Sequence, residues 1–135
     1  MPRFTDPKAL AAYLKKAADA TLAESIISVQ ARLGSARTSP YATGRFRSSW
    51  FASESSPSIE VADEDANAPN EDAEKLKVDS RKTYYLTNNL EYAQYVTIGE
   101  KVVSKPKTWW KDFRSSTVPK LQQGAAKQVK EEFGL

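Results

Sequence analysis

Apolar residues recur at Leu10, Leu14, Ala18, Leu22, Ile26, Val29 and Leu33, in steps of four and three. That spacing traces one stripe along an α-helix and excludes a strand, whose side chains alternate every second residue. Asp6 supplies an N-cap, and Pro7 occupies the first helical position, where its missing N–H costs nothing. Gly34 marks the expected stop. Such a helix is roughly 40 Å long at about 1.5 Å per residue. The chain has 135 residues and a mass of 15.0 kDa, which suits one domain. A helix of that length must therefore lie across the domain or reach a neighbouring subunit.

Other patterns follow along the chain. From Phe46 the residues alternate, with Phe46, Ser48, Trp50 and Ala52 on one side and Arg47, Ser49 and Phe51 on the other. This predicts a strand that Ser55-Ser56-Pro57 ends. Ile59–Val61 begins a short return strand, and Leu76–Asn88 holds the next strand region, broken by Asn88-Asn89. Leu90, Tyr92, Ala93, Tyr95 and Val96 then suggest a short helix closed by Gly99, with a basic loop at Lys101–Lys107. A second helical stripe comprises Trp110, Phe113, Thr117, Leu121, Ala125, Val129 and Phe133. Pro119 interrupts it, so a kink or a fresh helix start is expected near Thr117. Of Trp109 and Trp110, one should enter the core and the other lie at its edge. The expected fold class is α+β: a long N-terminal helix, a small antiparallel sheet with a mobile acidic loop, a short helix and a C-terminal helix. One domain spans residues 1–135, with residues 60–75 as the acidic loop within it.

Composition removes whole classes of chemistry. The chain has neither Cys nor His, so it builds no disulfide, thiolate nucleophile, Cys/His zinc site or imidazole-based triad. No run of apolar residues is long enough to span a membrane, and the first residues lack the apolar stretch of a secretory leader. A soluble, intracellularly assembled domain without cofactor, metal or catalytic residues is expected.

Charge is unevenly placed. Eight of the 17 acidic residues lie between Glu54 and Glu74, where there is no Lys or Arg; the rest of the chain holds 20 basic and 9 acidic residues. Within that window Glu60, Asp63, Glu64, Asp65, Glu71, Asp72 and Glu74 neither alternate nor form an apolar face, as in a solvated loop. Ala62–Ala73 is accordingly expected to be dispensable for folding. The loop could face nucleic acid that it repels or a basic partner that it holds. It lacks the residue order of a calcium loop.

Thr43-Gly44-Arg45-Phe46-Arg47-Ser48 reads as a glycine turn feeding a strand, with Arg45 and Arg47 on one face suited to a carboxylate or phosphate. It lacks the second glycine and the Gly-Lys-Ser/Thr ending of a phosphate loop. This segment through Ser49 resembles the Thr-Gly-x-Leu-Arg-x-Ser motif of tailed-bacteriophage tail-completion proteins, also called neck or head–tail joining proteins. Asn89-Leu90-Glu91-Tyr92-Ala93-Gln94-Tyr95-Val96-Thr97-Ile98-Gly99 resembles that family's Asn-x-x-x-Tyr-Ala-x-Tyr-Val-Glu-x-Gly. The order of long helix, motifs, variable segment and C-terminal helix matches too. Thr97 departs from the family's usual glutamate; Glu91 or Glu100 could take its place beside a motif arginine.

The resemblance implies a non-enzymatic virion protein, assembled in the host cytoplasm. It would form a homo-oligomeric ring, commonly six-fold, that joins the head connector to the tail and lines the DNA channel. Expected partners are further copies of the chain, a connector or stopper, and a tail tube or tail terminator, with DNA passing transiently and no membrane. Thr43, Gly44, Arg45, Arg47, Tyr92, Tyr95 and Gly99 would lie at the subunit contact, and the seven acidic residues at the lumen or an adjoining ring. A tail terminator or stopper of the same assembly, or a nucleic-acid-binding module using the basic scaffold, are the alternatives.

Overall fold

The structure, a computed structural model, describes residues 3–35, 44–91, 93 and 108–135. It is a mixed α+β fold, mostly helical, with a long N-terminal helix, a two-stranded antiparallel sheet and a C-terminal helix. Helix α1 spans Pro7–Leu33, and the Asp6 carboxylate caps it by accepting from the Lys8 amide at 2.9 Å. It ends at Gly34, whose amide donates to the Gln30 carbonyl at 2.9 Å. Gly34 keeps a right-handed conformation, φ −75°. Glycine is needed there for closeness instead, since a Cβ would stand 2.7 Å from the Pro69 Cβ.

The expected stripe holds for the C-terminal half of α1, where Ile26 and Leu33 are buried and Leu22 and Val29 half-buried. In the N-terminal half it rotates by one residue. Ala17 is buried, whereas Leu14 is 45% exposed and Ala18 is exposed. The cause is the C-terminal end of the chain. Tyr13 lies between Phe4 and Phe133, with ring centroids at 5.0 and 5.2 Å, and its hydroxyl donates to the Phe133 carbonyl. A large ring with a satisfied hydroxyl outcompetes Leu14 for the contact.

Residues 44–48 correct the sequence reading. Gly44–Ser48 forms a helical turn, α2, and the strand β1 begins only at Trp50, running to Glu54. Over five residues, Phe46 and Trp50 satisfy a helical four-residue step as well as an alternating one. Packing decides it, with Phe46 and Trp50 both in the core, and the serine hydroxyls follow the helical turn: Ser48 donates to the Gly44 carbonyl at 2.8 Å and Ser49 to the Arg45 carbonyl at 2.7 Å. Strand β2, Tyr84–Asn88, pairs antiparallel with β1 in the register Trp50↔Asn88 to Glu54↔Tyr84. Residues 76–83 of the expected strand region are irregular, and Ile59–Val61 is not paired into the sheet. β1 stops where Ser55 adopts φ 67°, turning the chain out into the acidic segment.

After Trp109–Asp112, helix α3, a π-helical turn covers Phe113–Thr117 before α4, Val118–Glu132. Pro119 lies in the first turn of α4. The fresh start expected near Thr117 therefore occurs, and the wide turn supplies it: the Val118 amide reaches back five residues to the Phe113 carbonyl. Ala125 and Val129, four apart, are buried where α4 packs on α1.

Leu33, Phe46, Trp50, Leu90, Ala93, Trp109 and Phe113 form the core cluster. Trp109 is the tryptophan that enters it, 6% exposed, while Trp110 covers the edge, stacked on Trp50 with centroids 5.4 Å apart. The helical stripe, which runs through Trp110, would instead put that residue innermost. Leu90 and Ala93 belong to the expected short helix, the rest of which, including Gly99, lies largely outside the described residues.

Candidate interaction surface

Gly44, Arg45 and Arg47 meet the acidic segment. In α2 the two arginines are about 200° apart around the helix, at about 100° per residue, so they do not share a face as a strand would require. They bracket the segment instead. Arg45 Nε donates to the Ala62 carbonyl at 3.0 Å, and Arg47 Nη2 to the Asn67 carbonyl at 2.7 Å. Gly44 is buried, and a Cβ there would stand 2.4 Å from the Asn67 Cα. Within the chain, the motif therefore acts as a cradle for the backbone of residues 62–67. Thr43, Tyr92, Tyr95 and Gly99 lie outside the described residues.

The acidic segment is irregular until Asp72–Lys75, a 3-10 turn. It is pinned at its far end by a residue that sequence patterns do not single out. Gln30, 2% exposed, donates through Nε2 to the Trp50 carbonyl at 3.0 Å and to Asp72 Oδ1 at 2.5 Å. Its Oε1 accepts from the Ala73 amide at 2.9 Å. Asp72 also accepts from the Ala52 amide at 3.1 Å. Asp72 is thus turned inward, onto α1 and β1, and leaves the group of outward-facing acids. The other six, Glu60, Asp63, Glu64, Asp65, Glu71 and Glu74, are exposed. A glutamine on a helical stripe carries no signal of this role, because the partner lies 42 residues away in sequence.

Asn88 and Asn89, which read as strand breakers, hold α2 and the segment respectively. Asn88 Nδ2 donates to the Phe46 carbonyl at 2.8 Å. Asn89 Nδ2 reaches the Ser58 carbonyl at 2.6 Å and the Glu60 carbonyl at 3.1 Å.

A second cluster clasps α1 to the turn before β2. Lys15 Nζ lies 2.5 Å from Asp19 and 2.9 Å from Asp79, and Arg81 lies 3.0 Å from Asp79. The Arg81 hydrogen bonds, then that of Lys15, hold the Asp79 carboxyl well below its ordinary value. Lys15, followed by the Ser80 amide, lowers Asp19. Lys82 pairs with Glu54 at 2.8 Å. An open groove of about 470 Å³ runs between α1 and β2, lined by Leu22, Ile26, Val29, Tyr85 and Leu86 among others. Its apolar walls lack a converging set of charged groups.

Among the described residues, no three Asp or Glu side chains come together to hold a metal ion, and no helix is long and apolar enough to cross a membrane. No protein-family model, curated protein or solved structure matches this chain. What the site offers is contact: exposed carboxylates on a braced segment, and apolar side chains the fold leaves open at Leu14, Ile59 and Val61.

Proposed function

We propose that this protein is a structural subunit of the head–tail junction of a tailed bacteriophage, forming a homo-oligomeric ring, six-fold in the family it resembles. The ring would join the connector or stopper to the tail and surround the DNA path. The observation that carries this is the pair of motifs in order on one chain, Thr43–Ser49 and Asn89–Gly99, behind a long N-terminal helix. Two structural features support it. The N-terminal half of α1 has Leu14 and Ala18 uncovered by the described residues, as an assembly surface requires. Six exposed carboxylates on a braced segment would face DNA without gripping its phosphates.

Native mass spectrometry tests the proposal directly. A closed multiple of the 15.0 kDa chain is expected. Leu14→Asp, at an exposed position, should keep the far-ultraviolet spectrum and lose the ring. A wild-type chain that stays monomeric at all concentrations, alone and with connector particles, would count against it.

A further inference from the structure

Residues 58–62 carry a pattern of bonded and open backbone groups. The carbonyls of Ser58 and Glu60 accept from Asn89, at 2.6 and 3.1 Å, and Thr87 Oγ1 also reaches Ser58 at 3.4 Å. The Ala62 amide donates to Ser49 Oγ at 3.3 Å, and its carbonyl accepts from Arg45 Nε at 3.0 Å. Every group turned toward the domain belongs to an even-numbered residue. Ile59 and Val61, between them, have no hydrogen bond at either amide or carbonyl among the described residues. In an extended chain, the N–H and C=O of alternate residues point to opposite edges. Residues 58–62 therefore have the alternation of an extended segment, held along one edge by side chains and open along the other among the described residues. The side chains of Ile59 and Val61 share a face and are 93% and 46% exposed.

Such an edge is a template for another strand unless charge, proline or a covering element blunts it. Its one charge is Glu60, and Pro57 stands just before it, outside the segment. Its anchors, Ser49, Arg45 and Asn89, keep it straight in advance, which lowers the ordering cost of pairing. The mate is restricted by charge. A symmetric antiparallel pairing centred on Glu60 would set Glu60 against Glu60, with Asp63, Glu64 and Asp65 close by, and like charges directly opposite destabilise a pair. The complementary strand is basic. Outside Glu54–Glu74 this same chain carries 20 basic against 9 acidic residues, and its sequence includes a β-branched stretch between lysines, Lys101-Val102-Val103-Ser104-Lys105.

We propose that the outer edge at Ile59 and Val61 binds an extended, lysine-bearing segment of a second copy of the chain by main-chain pairing, in a head-to-tail contact. Because the two surfaces differ, the contact can propagate around a ring. The identity of the mate rests on the ring assembly proposed above; the open edge does not.

Val61→Pro is the informative variant. It removes an outward N–H and leaves every inner anchor in place. Two readouts apply to the full-length protein, after circular dichroism shows the variant folded: mass by light scattering, and anisotropy of a capped, labelled peptide with the sequence of Lys101–Lys105. Wild type should bind the peptide, more weakly as salt rises, and Val61→Pro should bind about tenfold less well, the loss of about one hydrogen bond plus the ring's obstruction. A drop in assembly mass on Val61→Pro supports the proposal independently. If the variant matches wild type in both readouts, or if neither peptide binding nor a mass change is seen, the edge is not a docking site. A monomeric wild type that still binds the peptide through Val61 would sink the ring reading while leaving the edge.

Discussion

Gly44 and Gly124 are both helical glycines, in opposite surroundings. At Gly44 a Cβ would press 2.4 Å from the Asn67 Cα and 3.1 Å from the Ala66 carbonyl oxygen, both backbone atoms with no soft end to give way. Gly44→Ala is therefore expected to destabilise by about 1–3 kcal/mol, the cost of overpacking, and to loosen the acidic segment. Gly124, exposed on α4, has nothing within 4 Å of where an added methyl group would sit, apart from its chain neighbours and its own helix backbone. Gly124→Ala should stabilise by about 1 kcal/mol through helix propensity alone. Thermal unfolding of the two variants gives opposite signs, and equal signs would refute the contrast. The glycine of the motif is visible in sequence as a turn. Its reason is not, because the atoms that crowd it come from Ala66 and Asn67, far along the chain.

At the scale of elements, the acidic segment behaves as a strap between α2 and α1. Its irregularity is legible from composition: residues that neither alternate nor form a stripe cannot nucleate an element. Its attachments are not, since they depend on the single buried amide of Gln30 and on backbone carbonyls, which have no sequence signature. From these attachments Ala62–Ala73 is expected to be needed for folding, contrary to what its composition suggests. Deleting it would strip Gln30 of Asp72 and the Ala73 amide and remove the Ala62 and Asn67 carbonyls that accept from Arg45 and Arg47, with unsatisfied buried groups costing about 1–3 kcal/mol each. A large fall in denaturant midpoint is expected for that deletion and little change for removal of Glu64 and Asp65 alone, at the exposed tip. The clasp of Lys15, Asp19, Asp79 and Arg81 adds a pH dependence. A carboxyl held below its unfolded value stabilises above that value and loses the benefit as pH falls through the folded one. The contribution of Asp79 is thus present at neutral pH and vanishes well below its ordinary 3.8. Asp79→Asn should lower the melting temperature at pH 7 and flatten its fall in acid. Parallel wild-type and variant curves would contradict this.

For the whole molecule, the α+β class and both long helices can be anticipated, because about two dozen residues of sustained period average out local exceptions. Short elements cannot. Five residues at 44–48 fit either period, and tertiary packing chose the helix. The tilt of the α1 stripe depends on where Tyr13 meets Phe133, a contact spanning 120 residues. The charge split suggests a test at this scale. If exposed acids keep passing DNA from sticking, replacing Asp63, Glu64 and Asp65 with their amides should raise DNA affinity at low salt, with a salt dependence that marks phosphate contacts. Tight, salt-sensitive binding by the unmodified chain would instead favour a nucleic-acid-binding module. The wide turn at Phe113–Thr117 has a consequence for how this fold tolerates change. It is, in effect, one residue more than a continuous helix needs. Losing one residue there would let α3 and α4 fuse with the phase of α4 little changed, whereas losing one from the regular first turns of α4 would swing the rest by about 100° about its axis. Ala125 and Val129 would then leave α1, and the tyrosine–phenylalanine contact that locks the chain's two ends together would lose its partner. The wide turn takes up a surplus residue without rotating the last helix, so a one-residue deletion within it should be tolerated where one within α4 is not.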